Sequence, residues 1–592
     1  MEHKPEYQKM IDIAINILVI ALMFIYPLLF IWQGLDLTDT GYVLTNYQQI
    51  FDEPSSIESS FRTWLSDILG GIWIYFFGDF GFIGYKLAAV LLVWATIYMT
   101  YRILRLHIKK GALLFGLLLA LMFINRTGYQ FNYNSFTAFF YVTGAYFIFE
   151  GLRFNKKHLV FISAIILGLN IFIRLPNILG FFLISCIFFY GFINKTPVSV
   201  QFKQAVYFLA GYFISVVLTF FVMYMFGHLE SYVSLLKGTF TMVNDSLGHH
   251  RKELLVDTYI RHHKTMLSRI GIITIAVFCL SMILTISAKC KNRLVQYGII
   301  FAAAFSFVFY YYGFFRDWVN LLIMFVGILY VIVLLNVFNK ENQKEFRLIS
   351  FLAFLVLLLT PLGSNIAIRN SIYGMYLCIP LAYSYILSVK EFKIDIRLSS
   401  ESFYKWYLRI SKEELKLVKV LVLIFFLFFT TMSAYEFTYR DSDNRMKMLY
   451  DVKDPKLKGV FTTQERAIVV QELMDVLPGY VKPGDYLLAY EQVSLVYFLT
   501  NTKPYLYSAW PMLYSPAVFK ASLNRALKER PHLPVIVRAK GNTEDANWPN
   551  TKGILHSHNH DGIRNIMNDF IKGKEYNLVW ENEFFEILQP HR

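Results

Sequence analysis

The chain has 592 residues, 56% hydrophobic, 18% aromatic and only 17% charged, with a mean hydropathy of +0.43; a soluble protein of this length carries far more charge. The 57 Lys and Arg against 42 Asp and Glu leave a formal charge of +15, a balance that in a soluble chain would suggest nucleic acid. Here much of the basic charge lies in short loops between apolar runs, as the positive-inside rule expects, which argues for membrane lipids as the surroundings and against a nucleic-acid partner.

The first apolar run, 11–32, is long enough to cross a bilayer, which takes about 20 residues. No small-residue cleavage site follows it, so it reads as a retained helix. Directly after it, Gly34-Leu35-Asp36-Leu37-Thr38-Asp39-Thr40-Gly41-Tyr42 places two carboxylates where the helix leaves the lipid. Carboxylates there are costly unless they face a water-filled or substrate-filled cavity. An aromatic stretch at 64–78, with Trp64, Trp73, Tyr75, Phe76 and Phe77 interrupted by Asp67 and Gly70-Gly71, predicts an interfacial helix along the membrane surface.

Further apolar runs follow at 82–104, 111–125, 134–152, 158–173, 177–193, 204–226, 269–288, 295–314, 318–338, 348–362, 371–388 and 418–434. With the first they predict about thirteen membrane spans. One set of loops carries Arg102, Arg105, Lys109 and Lys110; Arg153, Lys156 and Lys157; Lys289, Lys291 and Arg293; and Lys340, Lys344 and Arg347. A cytoplasmic linker at 389–417 belongs with them, including Lys405, Arg409 and Lys416. This bias places the amino terminus in the cytoplasm of a multi-pass protein of the plasma (inner) membrane, and the first loop, 33–63, outside. An odd number of spans exports everything after about residue 435. A second outward loop is predicted at 227–268, with Asn244-Asp245, His249-His250, Asp257 and His262-His263; its spacing matches no familiar zinc pattern.

In the exported segment, Thr462-Thr463-Gln464-Glu465 reads as a capped helix start. Strands are predicted at Tyr486–Tyr490 and Val535–Arg538, helices near 515–529 and 561–572, and a closing hairpin around Asn577–Leu588. The predicted fold is an α-helical polytopic membrane domain, 1–434, followed by a periplasmic or extracellular α/β domain, 435–592. The four cysteines, Cys186, Cys279, Cys290 and Cys378, all precede that second domain, which therefore has no disulfide framework. Its cluster of Tyr505, Tyr507, Trp510 and Tyr514 suits either stacking on sugar rings or a packed aromatic core. His556, His558, His560 and Asp561 read as a solvated loop.

Asp36 and Asp39, three residues apart, share a face if the loop opens with a helical turn. Such a pair can take a proton from an acceptor hydroxyl, or hold a divalent metal with phosphate oxygens completing its shell, or simply cap the following helix. Around them on the outward side fall Arg126, just before Gln130-Phe131-Asn132-Tyr133-Asn134; Arg174, in the turn Arg174-Leu175-Pro176-Asn177; Arg316, after Tyr310-Tyr311-Tyr312; and Arg369. Guanidinium groups suit phosphate, and lone arginines at helix ends also snorkel to headgroups. Tyr42, Asn132 and Asn134 are candidates for substrate contact. No GxSxG, phosphate-binding glycine loop or zinc-protease helix occurs, so no ATP coupling is expected within the chain.

The chain resembles the integral-membrane glycosyltransferases of the GT-C superfamily and is similar to their aminoarabinose and mannosyl transferase branches. The resemblance rests on the first span followed by Asp36-Leu37-Thr38-Asp39-Thr40-Gly41-Tyr42, on Phe77-Gly78-Asp79-Phe80-Gly81-Phe82-Ile83-Gly84-Tyr85-Lys86 leading into the second span, and on the Arg174-Leu175-Pro176-Asn177 turn. It implies transfer of a sugar, with inversion, from a polyprenyl (undecaprenyl-type) phosphate carrier to a glycolipid, polysaccharide or protein acceptor on the outer side, with a possible divalent metal as the only cofactor. Asp39 is then the first choice of base and Asp36 the second; threonine at position 40 departs from relatives that carry a second acid there. Arg174, with Arg126, Arg316 or Arg369, would bind the carrier phosphate. The competing readings are a lipid-linked oligosaccharide flippase or transporter and a polysaccharide polymerase or ligase.

Overall fold

The computed structural model describes residues 6–124, 128–243, 252–287, 292, 294–299, 301–302, 305–306, 318–364, 366–390, 392–397, 405–410, 412–442, 444–550 and 558–591. Helix α1 (Glu6–Ile25) continues into a short 3-10 turn and is followed by α2 (Asp39–Asp52), α3 (Trp64–Phe77), α4 (Gly81–Leu104), α5 (Lys110–Ile124), α6 (Tyr133–Arg153), α7 (Lys157–Ile173), α8 (Ser185–Asn194) and α9 (Val198–Met225). The surface of α9 shows what surrounds this bundle. It buries Gln201, Gln204, Gly211, Ser215 and Thr219 while Phe202, Val206, Phe213, Leu218 and Phe221 stand exposed. Water would drive the opposite arrangement; a hydrocarbon solvent permits it, because small and polar residues are what membrane helices place against one another.

Five helical segments among the described residues are long and apolar enough to cross a membrane: Glu6–Leu28, Pro54–Leu104, Leu175–Asn194, Val198–Met225 and Val319–Phe338. Lys110–Ile124, Lys157–Ile173 and Val422–Glu436 are apolar but shorter. The chain is thus a helical membrane protein, while the number thirteen is not established; the predicted run at 295–314 lies largely outside the described residues. Within the bundle α7 packs between α6 and α9. The Ser163 hydroxyl donates to the Gly144 carbonyl at 2.7 Å.

Several boundaries differ from the sequence reading. The segment 227–268 is mainly helical, with Leu229–Val243 and the long helix Lys252–Ser287 taking up most of its described part. Its charged and histidine residues break the hydropathy signal without breaking the helix; Asn244, Asp245, His249 and His250 lie outside the described residues. The linker 389–417 contains an antiparallel hairpin, β1 (Phe392–Arg397) with β2 (Lys405–Ile410), and the start of helix Lys412–Glu436. The aromatic stretch 64–78 is helical as α3, which buries Trp64, Ser66, Asp67, Ile68, Gly70 and Gly71 and packs on α2. Tyr75 and Phe76 stand exposed on it.

After residue 436 the composition change corresponds to an α/β region. A short ladder joins β3 (Tyr450–Asp451) to β4 (Phe461–Thr462). A five-stranded sheet follows in the order β6 (Lys503–Pro504), β5 (Tyr486–Tyr490), β7 (Val535–Ala539), β9 (Phe585–Pro590), β8 (Tyr576–Glu581). β5 runs parallel to β6 and β7, and β9 antiparallel to β7 and β8. Helices Gln464–Val476, Leu495–Thr500, Pro516–Glu529 and His558–Gly573 complete the region. Helix Gln464–Val476 starts without the predicted capping box: Thr463 stands at the N-cap with no side-chain bond, because the Thr462 hydroxyl is drawn to Asp441 at 2.9 Å. Tyr505, Tyr507, Trp510 and Tyr514 are buried in one hydrophobic cluster with Leu488, Phe519 and Ile536, so of the two readings of that cluster the packed core is the one found. His560 is buried near the start of helix His558–Gly573 and not in a solvated loop; His556 lies outside the described residues.

Candidate functional site

The first loop turns into α2 through a compact polar knot. Asp36, 3% exposed, accepts the Thr38 N–H at 2.9 Å and the Thr38 hydroxyl at 2.8 Å on one oxygen, and the Thr40 N–H at 2.7 Å on the other. A carboxylate at the start of a helix satisfies N–H groups that have no intrahelical partner and interacts favourably with the helix dipole. Burial holds the Asp36 carboxyl above the usual range; Arg440 opposes that push and Asp39 adds to it. Asp36 thus braces the turn into α2 from two residues before the N-cap, Thr38.

Asp39 is the first residue of α2, and its side chain keeps 28% exposure. One of its oxygens accepts the Tyr439 hydroxyl and the Arg440 Nε, the latter at 2.8 Å. Arg440 in turn pairs through Nη1 with Glu544, in the loop after β7. The guanidinium lies 5.6 Å from the ring centroids of both Tyr439 and Trp510, a cation–π arrangement. The backbone of Arg440 is left-handed, with φ of 51°, which costs a non-glycine residue about 1–3 kcal/mol and persists only where surrounding contacts impose it.

The C-terminal region is locked to this loop by its backbone. The Asp441 carboxylate accepts the Leu35 N–H at 2.6 Å and forms a buried ion pair with Arg466. The Leu495 N–H donates to the Leu37 carbonyl at 2.9 Å. Gly41 sits so close to this contact that a Cβ there would overlap the backbone of Leu495, a physical reason for glycine next to Tyr42. Tyr42 is partly buried, its ring 6.2 Å from that of Trp510.

On the other side of Asp36 lies a cavity of about 90 Å³ between the end of α1 and α4. Phe30, Ile31, Phe82 and Val90 give it apolar walls, and Asp36, Lys86, Gln130 and Arg445 a polar end. The Tyr85 hydroxyl and Gln130 Nε2 are buried there without a partner among the described residues. The Lys86 ammonium donates to the carbonyls of Gln33 at 2.8 Å and Gly34 at 2.9 Å.

The predicted arginines divide. Arg174 is 8% exposed; with the Asn370 amide turned to accept, its guanidinium donates to that oxygen at 3.2 and 3.3 Å. No carboxylate among the described residues pairs with it, an unusual state for a buried guanidinium. Arg174 stands at the C-terminal end of α7, and Tyr133 at the start of the neighbouring α6. Arg369 is exposed and interacts with His262 of helix Lys252–Ser287. Arg126 and Arg316 lie outside the described residues. Asn132 caps α6, accepting the Asn134 N–H at 3.0 Å, whereas the buried Asn134 Oδ1 has no partner among the described residues.

Among the described residues no three His, Cys, Asp or Glu side chains gather as a metal-holding group. Both oxygens of Asp36 accept hydrogen-bond donors and Asp39 carries a guanidinium, so the pair as arranged holds a helix start and a cation. Sequence reasoning missed Tyr439, Arg440, Glu544 and Arg62. The run Tyr439-Arg440-Asp441-Ser442-Asp443 directly after the last predicted span was a usable signal, whereas Glu544 and Arg62 stand in local sequence that nothing distinguishes.

No family model matches the chain, and no curated protein matches it. Among solved structures it is similar to an Archaeoglobus fulgidus oligosaccharyltransferase, determined as a complex with Zn and sulfate, at 11% identity and a TM-score of 0.35, over 85% of this chain and 64% of that one. The chain thus spans less than two thirds of that protein's length.

Proposed function

We propose that the chain is an inverting membrane glycosyltransferase that moves a sugar from a polyprenyl phosphate carrier to an acceptor hydroxyl on the outer side of the membrane, where the C-terminal region also lies. The observation that carries this reading is a partly exposed carboxylate, Asp39, at the start of α2 just past the first membrane helix, ion-paired to Arg440, with a buried Arg174 that has no carboxylate partner among the described residues. A general base beside guanidinium groups is what displacement of a phosphate leaving group needs.

In this mechanism the acceptor oxygen attacks the anomeric carbon and forms the new glycosidic bond. The bond from that carbon to the carrier phosphate oxygen breaks, and its electron pair leaves with the phosphate. The acceptor proton passes to Asp39, and the single displacement inverts the anomeric centre. Arg174 and Arg62 receive the phosphate, since neither has a carboxylate ion pair among the described residues. Asp36 holds the loop and the start of α2 so that Asp39 faces the substrate. In this reading Tyr42 and Asn134 contact the sugar, since Tyr42 follows the Asp39 turn and the buried Asn134 Oδ1 has no partner among the described residues. The amphiphilic cavity between α1 and α4 supports a lipid-borne substrate beside the same loop.

The test is native mass spectrometry of lipids retained by gently purified wild type and Asp39→Asn, followed by turnover with the sugar phospholipid identified. Asp39→Asn should retain a polyprenyl phosphate sugar and lose turnover by about 10²–10⁴, the range for removal of a general base. Only bulk phospholipid in both proteins, or full turnover in the variant, would sink the proposal.

A further inference from the structure

Arg440, in the segment after the last long helix, is joined to the first loop through Asp39 and to the loop after β7 through Glu544. Its Nε is on Asp39 and its Nη1 on Glu544, while Nη2 has no bond among the described residues. The side chain keeps 22% exposure, so a ligand can reach it. In this arrangement Asp39 is occupied: the same oxygen that accepts the Tyr439 hydroxyl accepts the guanidinium. A carboxylate oxygen that already accepts a hydroxyl and a guanidinium N–H is closed to a further donor, and a guanidinium held by two carboxylates is a poor phosphate receptor. The two groups mask each other.

We propose that Arg440 exchanges partners on donor binding: its guanidinium leaves Asp39 for the carrier phosphate, which completes the phosphate site and frees Asp39 in one movement. The inference rests on the glycosyltransferase reading and adds to it a residue from the C-terminal region that binds the phosphate. Glu544 keeps Nη1 throughout, so the guanidinium pivots and does not detach. The donor's phosphate, a singly charged diester whose two unesterified oxygens match the guanidinium fork, competes with Asp39 for the same face of the guanidinium. With Asp39 masked until a phosphate arrives, the base meets the acceptor only when the donor is present. Arg440 is thus a binding residue, and Glu544 a positioning residue that acts through it.

The exchange predicts effects of opposite sign on one measurement. Undecaprenyl phosphate is titrated against the full chain in nanodiscs, with phosphatidylglycerol as reference, for wild type, Asp39→Asn, Glu544→Gln and Arg440→Gln. Asp39→Asn removes a competitor and tightens binding by about 2–5-fold, the worth of a partly exposed ion pair. Glu544→Gln also tightens it, having removed part of the opposing charge. Arg440→Gln weakens it by about 10-fold or more, the loss of hydrogen bonds to a charged group. Asp39→Asn is nearly isosteric and reads the sign even if Arg440→Gln does not fold. A salt bridge with only a structural role would leave Asp39→Asn unchanged or weaker, and that result overturns the exchange while the carrier reading stands. Wild type binding undecaprenyl phosphate no better than phosphatidylglycerol overturns the carrier reading, and the exchange with it.

Discussion

Asp441 accepts the backbone N–H of Leu35 at 2.6 Å across 406 residues of sequence. The loop that leaves the first membrane helix and the segment that follows the last long one therefore form a single piece of structure. The residues on either side of this bond make up the candidate site: Asp36 and Asp39 next to Leu35, Tyr439 and Arg440 next to Asp441. The C-terminal region cannot be a detachable cover when its own segment supplies the partners of Asp39.

Asp36 should prove structural. Asp36→Ala removes the acceptor for two helix-start N–H groups and a hydroxyl, a loss of about 1–2 kcal/mol for a capping group. Asp36→Asn, which keeps the shape and one acceptor oxygen, should recover most of the thermal stability in detergent and most of the turnover. If Asp36→Asn regains stability and stays inactive, the carboxylate itself is needed and the base assignment passes from Asp39 to Asp36.

Arg174→Ala tests a buried cation without a carboxylate partner. Since its polar contact is the Asn370 amide, truncation leaves no unpaired buried acid behind among the described residues, and stability should fall only modestly. Undecaprenyl phosphate affinity should fall by about 10–100-fold, the worth of hydrogen bonds to a charged group. An unchanged affinity measured on nanodisc-embedded protein would make Arg174 a helix-end arginine that fixes the turn before Leu175.

What could be read in advance follows from the kind of signal each element leaves. Tyr486–Tyr490 alternates little and is bounded by Gly484-Asp485 and Glu491, and it forms β5 over that same range. The acidic loop was visible because carboxylates at the end of an apolar run are costly. The pairing of Asp39 with Arg440 was not, because an ion pair joining residues hundreds of positions apart leaves no periodicity. The length of helix Lys252–Ser287 was hidden for a different reason: hydropathy detects the lipid-embedded part of a helix and not the turns carrying Asp257, Arg261, His262 and His263. Thr462 was misread as a cap because its hydroxyl has a better partner in Asp441.

Glu544 gives a pH signature. Burial raises its carboxyl above the usual range, opposed by Arg440 and reinforced by Asp39. A raised folded-state value means the stability linked to Glu544 is fully present below the ordinary glutamate range and is lost as pH rises through the folded-state value. Glu544→Gln has no such titration. The difference in Tm, Glu544→Gln minus wild type, should therefore grow more positive between pH 4 and pH 7, whatever constant offset the lost ion pair adds. A difference that stays flat or falls over that interval would show that the acid is not held above its usual range.

The Asp441–Arg466 pair carries the strongest stability prediction. Both side chains are essentially inaccessible, and each is fully engaged. Asp441 also takes the Leu35 N–H and the Thr462 hydroxyl. Arg466 donates to the carbonyls of Trp548 at 2.8 Å and Ala546 at 2.7 Å and stacks 4.7 Å from the Trp548 ring. Removing one partner leaves a buried charge alone, which costs about 3–5 kcal/mol. Arg466→Met and Asp441→Asn should each destabilise by that amount, and the double variant by clearly less than their sum, because the second change removes the stranded charge. The loss should also localise: hydrogen exchange at Leu35 and at Asn547–Trp548 should accelerate together, since Asp441 accepts the Leu35 N–H and Arg466 donates to the Trp548 carbonyl. Additive single and double variants, or acceleration confined to one segment, would mean that the first loop and the C-terminal region are held together by the surrounding apolar contacts and that this ion pair is incidental to their union.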